Sequence, residues 1–302
     1  MTMLSRVGVV RAKLEAEAGT AVVPDAECRV YDPTMEADDT AIDRPAEWPS
    51  AGTIASVPGA QTGTFSGRFE LCGTGAAALD PCLVILLQIC GSDLNAAVYA
   101  PASAIADQST ATLHFWEQGK RKGLSGAHGS CKFTADAGGI IYVEVELQGN
   151  WIAPVDEAQP AHTANATLPM MAKNCTFTTQ TFAAKVSSFT WDWGVQVAAR
   201  QDIAAATGVL HFCGTGRKPT FTCDPEAGLV ATHDWDGIRL ASTEGALSLV
   251  MTDGTLTLTL AVDQCQYRTI SDGDREGLRI HNVTAQLNVT DAGDDDWTLT
   301  VS

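Results

Sequence analysis

Apolar and polar residues alternate along most of this 302-residue chain, and the alternation has a period of two. Leu256, Leu258, Leu260 and Val262 alternate with Thr255, Thr257, Thr259 and Ala261. Ile141, Val143, Val145 and Leu147 alternate with Tyr142, Glu144 and Glu146. Phe189, Trp191, Trp193, Val195 and Val197 do the same across Thr190, Asp192, Gly194 and Gln196, and Trp297, Leu299 and Val301 repeat it. Period two is the mark of strands with one buried face, because successive side chains in a pleated strand point to opposite sides. Leu278 and Ile280 lie on one parity and Val283, Ala285 and Leu287 on the other, which predicts a bulge near His281–Asn282. Helical signals are few. Asp80-Pro81 offers an N-cap and a proline at the first helical position, and Gly91 a stop; between them Cys82–Leu87 is apolar on every side, so this helix is expected to be buried. Asp224-Pro225-Glu226 repeats the start signal and predicts a shorter helix carrying Leu229, Trp235 and Ile238. The fold class expected is mainly β.

Three short strings recur in the same order in the two halves. Cys72-Gly73-Thr74-Gly75 returns as Cys213-Gly214-Thr215-Gly216, Asp80-Pro81 as Asp224-Pro225, and Cys131-Lys132-Phe133 as Cys265-Gln266-Tyr267. This predicts two tandem domains, 1–155 and 173–302, joined by a proline-bearing linker over 156–172. A different register, with Phe65–Leu71 opposite Thr220–Cys223, would make the Cys-Gly-Thr-Gly match accidental. The stretch 31–58, with four prolines and many acids, reads as a long irregular arm in the first domain.

Charge sharpens the picture. The net charge is −17, divided almost evenly as −8 over residues 1–155 and −9 over 156–302, so the acidity belongs to the whole fold. Such a surface disfavours tight binding of a phosphate backbone. The longest apolar run, Cys82–Leu87, is far short of a membrane span, and Met1–Val10 lacks the layout of a signal peptide. Nine cysteines, an odd number with no Cys-x-x-Cys pair, are expected to be free, buried thiols.

Candidate chemistry is sparse. No metalloprotease, P-loop or nucleophile-elbow motif is present, and Gly73-Thr74-Gly75 lacks the third glycine of a dinucleotide fingerprint. His211 and Cys213 alternate on one strand face and with His233 would make a metal set; packed, unrelated side chains are the plainer reading. Asp272–Asp274 and Asp294–Asp296 are acidic turns without the ligand pattern of a calcium loop. Glu144 and Glu146 share a strand face at a spacing that would suit an acid–base pair, although a polar strand face is much the stronger explanation. No catalytic, cofactor or metal site is therefore expected, and no enzyme. Lys120-Arg121-Lys122 is the one dense basic run, and the stretch Gln118–Gly123 is expected to be a hairpin tip that docks on an acidic neighbouring copy.

The ordered set of motifs has a precedent. Gly8-Val9 opens it; Phe69–Gly75 precedes an apolar helix; a strand pair follows around Gly119-Lys120, then Leu124–Phe133, Ile140–Gly149 and Ala153-Pro154. The second half adds Gly214–Thr220, Asp224–Glu226 and Tyr267–Gly277. This arrangement resembles the major tail tube proteins of long non-contractile-tailed bacteriophages. The cysteines and the acidic turn Asp291–Asp296 depart from that pattern. The resemblance implies β-sandwich or barrel-like tube domains with one flanking helix each. It also implies stacked rings enclosing a channel for DNA ejection, a place in the virion tail after assembly in the host cytoplasm, and no membrane partner. Self-association is then the main partnership, with tape measure and tail tip or terminator proteins beside it. DNA would pass an acidic lumen without specific binding. With two tube domains per chain, a trimeric pseudo-hexamer is expected in preference to a hexamer. The competing classes are a capsid-decorating or adhesin-like β-sandwich and a β-sandwich carbohydrate-active enzyme.

Overall fold

The computed structural model describes residues 8–50, 52–162, 165 and 167–302, so the leader reading of Met1–Val10 falls mostly outside the described residues. In chain order the elements are β1 (Gly8–Leu14), β2 (Ala26–Cys28), β3 (Val30–Ile42), β4 (Val57–Glu70), α1 (Pro81–Ile89), β5 (Ser92–Asn95), β6 (Val98–Pro101), β7 (Ala111–Glu117), β8 (Lys120–Asp136) and β9 (Tyr142–Asp156). There follow β10 (Thr176–Thr179), β11 (Ser188–Asp192), β12 (Val195–Gln201), β13 (Val209–Arg217), β14 (Thr220–Cys223), α2 (Trp235–Leu240), β15 (Glu244–Thr252), β16 (Thr257–Arg275), β17 (Leu278–Asn288) and β18 (Thr298–Val301). The protein is mainly β, and its strand pairs are antiparallel.

Eight strands form one continuous sheet in the order β3-β4-β9-β8-β11-β14-β17-β16. The first four come from the first half of the chain and the last four from the second. In each half the order is the same: the outer strand of a hairpin, its inner strand, then the third and second strands of a meander. The remaining pairings also recur, β1 on β7 and β7 on β8 in one half, β10 on β15 and β15 on β16 in the other. Each helix lies between hairpin and meander.

Side chains line up in rows across this sheet. Phe69, Val143, Phe133, Trp191, Phe221, Ala285 and Tyr267 occupy directly opposed positions and are all buried; Val30 heads the row. They belong to one hydrophobic cluster that runs through both halves. Phe133 stacks on Trp191 at 4.9 Å, and Trp191, Trp193 and Trp297 close the seam.

β8 joins the two halves. β9 follows one of its edges, while the other edge serves β7 near its start and β11 from Lys132 to Asp136. The changeover lies at a register shift between Ser125 and His128, where Gly126 adopts φ +57° against the backbone of His211 and Gly19. A side chain there would be strained and would collide, so the bend depends on glycine.

The helix at Pro81–Ile89 forms as expected. Asp80 accepts from the Cys82 amide at 2.9 Å, and Leu83, Leu86, Leu87 and Ile89 are buried. Several expectations are corrected. Asp224 caps no helix: it accepts from the amides of Ser187 and Ser188, and Pro225–Ala227 runs extended beside β17. The second helix starts ten residues later, capped by Asp234, and Leu229 is exposed outside it. The arm 31–58 is irregular in part only: its first twelve residues belong to β3 and its last two to β4, with Pro33 inside the register shift between Tyr31 and Thr34 and Pro58 opposite Ala41, while 43–50 and 52–56 form the connecting loop. The strand expected over Phe189–Val197 is broken at Gly194, φ +59°. The bulge near His281–Asn282 is absent; the shift sits on β16 beside Arg268, and Ile280 lies instead over Gly273, which has no side chain to displace. Cys28 and Cys82 form a disulfide between β2 and α1, so the cysteines are not all free. The partners stand 54 residues apart, and only the docking of the helix against the first strands brings them together.

Candidate assembly surface

The face of the eight-strand sheet opposite its buried row is polar throughout. Tyr31, Arg68, Glu144, Lys132, Asp192, Thr220, Gln286 and Gln266 are directly opposed from one end of the sheet to the other. In the first half the row alternates in charge: Arg68 lies 4.4 Å over the Tyr142 ring, and Lys132 pairs with Glu144 at 2.9 Å. The Lys132 ammonium is held above its ordinary pKa by that hydrogen bond, with Asp192 adding to it. A neighbouring row is neutral, with Thr134, Thr190, Thr222, Thr284 and Thr269 in line. Glu144 and Glu146 do share the strand face, but Glu144 stands between Arg68 and Lys132 as part of an ionic ladder.

Between the halves, β11 takes the edge of β8, and the hairpin β12–β13 continues across β8 and β9. Polar contacts fix it there. Asn150 Nδ2 donates to the carbonyls of Val209 and Leu210 at 3.1 and 3.0 Å, and the Val195 amide donates to Ser130 Oγ at 3.1 Å. Gln108 exchanges two hydrogen bonds with the Gly214 backbone, 2.8 and 3.0 Å.

The sheet is open at both ends among the described residues. β3 is paired along one edge only, by β4. β16 from Arg268 to Arg275 is paired only by β17, since β15 stops opposite Gln266. The root of the β3–β4 hairpin is rigid: Tyr31 OH donates to buried Glu70, which Arg29 meets at 3.1 Å. The hydrogen bond to that carboxylate, with burial, pushes the Tyr31 phenol up to about 12.

The other candidates resolve into structural roles. Gln118 and Gly119 make the β7–β8 turn, and Lys120–Lys122 are strand residues rather than a free tip. Arg121 binds Glu157 at 3.0 Å and Lys122 binds Glu117 at 3.1 Å, which leaves Lys120 for other partners. His211 and Cys213 sit on β13, whereas His233 stacks on Phe182 beside the start of α2; no group of three metal-type ligands occurs among the described residues. Asp294 and Asp296 clamp Arg217, and Asp295 accepts from Thr290. Asp272 meets His281 at 3.0 Å, and Asp274 accepts from the Gly277 amide. Cys72-Gly73-Thr74-Gly75 is a turn closed by the Gly73–Leu79 bridge, whereas Cys213–Gly216 lies within a strand. The ordered rows themselves left no trace in the sequence beyond the spacing of Thr190, Thr222 and Thr284 in separate alternating segments.

No helix among the described residues is long and apolar enough to cross a membrane. No protein-family model matches the chain, and no curated protein matches it in sequence.

Proposed function

We propose that this chain is a structural subunit that builds a tube, the major tail tube protein of a long-tailed phage, and that it has no enzymatic role. The observation that carries the reading is the eight-strand sheet: the same four-strand order occurs twice, and the sheet ends in two open edges. Each four-strand unit is then one tube domain, and the chain is a tandem pair. Three chains would supply six such units in a closed, pseudo-sixfold ring. Roughly 24 strands, about 4.8 Å apart and tilted by about 40°, close a barrel about 48 Å across at the backbone, or about 35 Å inside the side chains. A DNA duplex, about 20 Å wide, passes such a bore. The polar face would line it, and the net charge of −17 per chain would keep phosphates from adhering. Tape measure and terminator proteins would occupy the bore and the end of the tube, in the virion tail.

Negative-stain imaging and mass photometry of the concentrated protein test this reading. Rings of three chains that stack into tubes are expected. Isolated globules at every concentration would refute it.

A further inference from the structure

The junction inside the chain specifies the junction between chains. After Phe133 on β8, the buried row continues to Trp191 on β11. The same row ends at Tyr267 on β16, which occupies in the second half the place of Phe133 in the first: Phe133 faces Val143 and then Phe69, and Tyr267 faces Ala285 and then Phe221. Trp191, which faces Phe221, corresponds in turn to Val30, which faces Phe69. The step from Phe133 to Trp191 therefore has an unfilled counterpart, from Tyr267 to Val30.

We infer that the partner of the open β16 edge is the Arg29–Tyr31 segment of a second copy of this chain, running antiparallel to it. The β3–β4 hairpin of that copy then lies across β15–β17, as β12–β13 lies across β8 and β9. This deepens the ring reading above and rests on it. Two observations converge on a second copy as the occupant. Both edges are unpaired strands, which are templates for pairing. Each edge continues a row that the intact junction already shows in register. The contact is head-to-tail, so it closes a ring or winds a filament and cannot stop at a twofold dimer.

The test is a photoreactive benzoylphenylalanine placed at exposed Arg268 in the full chain, with peptide mapping after irradiation of the assembled protein. Crosslinks to peptides containing residues 27–36 of another chain are expected. Hydrogen exchange on the unmodified protein gives the second readout: amides in 268–271 and 27–30 should exchange about tenfold or more slowly in the assembly than in the dilute monomer. Rings or tubes whose Arg268 crosslinks lie elsewhere, with no added protection in those segments, overturn this junction and leave the tube reading standing. The expected crosslink in open filaments without rings upholds the junction and refutes the tube. A chain that is monomeric at all concentrations refutes both.

Discussion

Breaking the Cys28–Cys82 bridge should cost the fold a large share of its stability. Both sulfurs are buried, and the bridge closes a loop of 54 residues that includes the whole β3–β4 hairpin. By the loop-closure relation, cutting it returns about 4 kcal/mol of chain entropy to the unfolded state. With an unfolding entropy of about 2.1 cal/mol/K per residue, a chain of this length should lose about 6 °C in Tm. Calorimetry with and without a strong reductant measures the shift, and the Cys28→Ala, Cys82→Ala double variant should reproduce it and no longer respond to reductant. A Cys265→Ala control should still respond. Alkylation of the denatured, unreduced protein provides the covalent check: seven thiols should react, and nine after reduction, since seven cysteines are unbridged. Nine labels without reduction, together with an unchanged Tm in reductant, would refute the reasoning.

Other expectations follow from named contacts. Trp191→Ala should destabilise the protein by about 3–5 kcal/mol, because the ring is fully buried between Phe133 and Trp297; urea unfolding reads it. Asp224→Asn should cost about 2 kcal/mol near pH 7, since the carboxylate accepts from Ser187 and Ser188 and meets Arg275 at 3.0 Å. Burial opposes ionisation of Asp224, but these partners outweigh it and hold its pKa low; the contribution is present above the unfolded value and is lost as pH falls through the folded one, so the variant should flatten the acid limb of a Tm–pH curve. Burial pushes His114 and His128 down to about 4, so the unfolded chain takes up protons first and stability should fall from about pH 6.5 toward pH 4. A His128→Asn variant should lose part of that slope, as thermal scans across this range will show.

Local signals in the sequence reached as far as local physics does. The segments 142–147, 257–262 and 298–301 are strands because alternation is a property of each segment alone. The α1 helix was legible for the same reason, its cap and proline being adjacent to the residues they serve. Asp224-Pro225 carries an identical signal and misleads, because the Ser187 and Ser188 amides, 37 and 36 positions away, compete for the carboxylate. The recurring strand order was signalled by Cys131-Lys132-Phe133 and Cys265-Gln266-Tyr267, which do occupy corresponding rows. The Cys72 and Cys213 strings do not, since one is a turn and the other a strand; Phe69 instead corresponds to Phe221. The polar rows of the sheet were hidden because they are made of register, and register depends on which strands meet across the whole chain.

The clasp between β18 and β6 has a consequence for how the chain reaches this state. Leu299 faces Tyr99, a pairing 200 positions apart, and Trp297 fills the seam beside Trp191 and Trp193. The β5–β6 hairpin of the first half thus gains its neighbouring strand only after residues 298–301 emerge from the ribosome. A first half released alone would expose the edge of β6 and the Phe133 ring that Trp191 otherwise covers, which makes early synthesis the aggregation-prone interval. Folding dominated by such distant pairings is slow, and the two halves should mature together rather than in sequence.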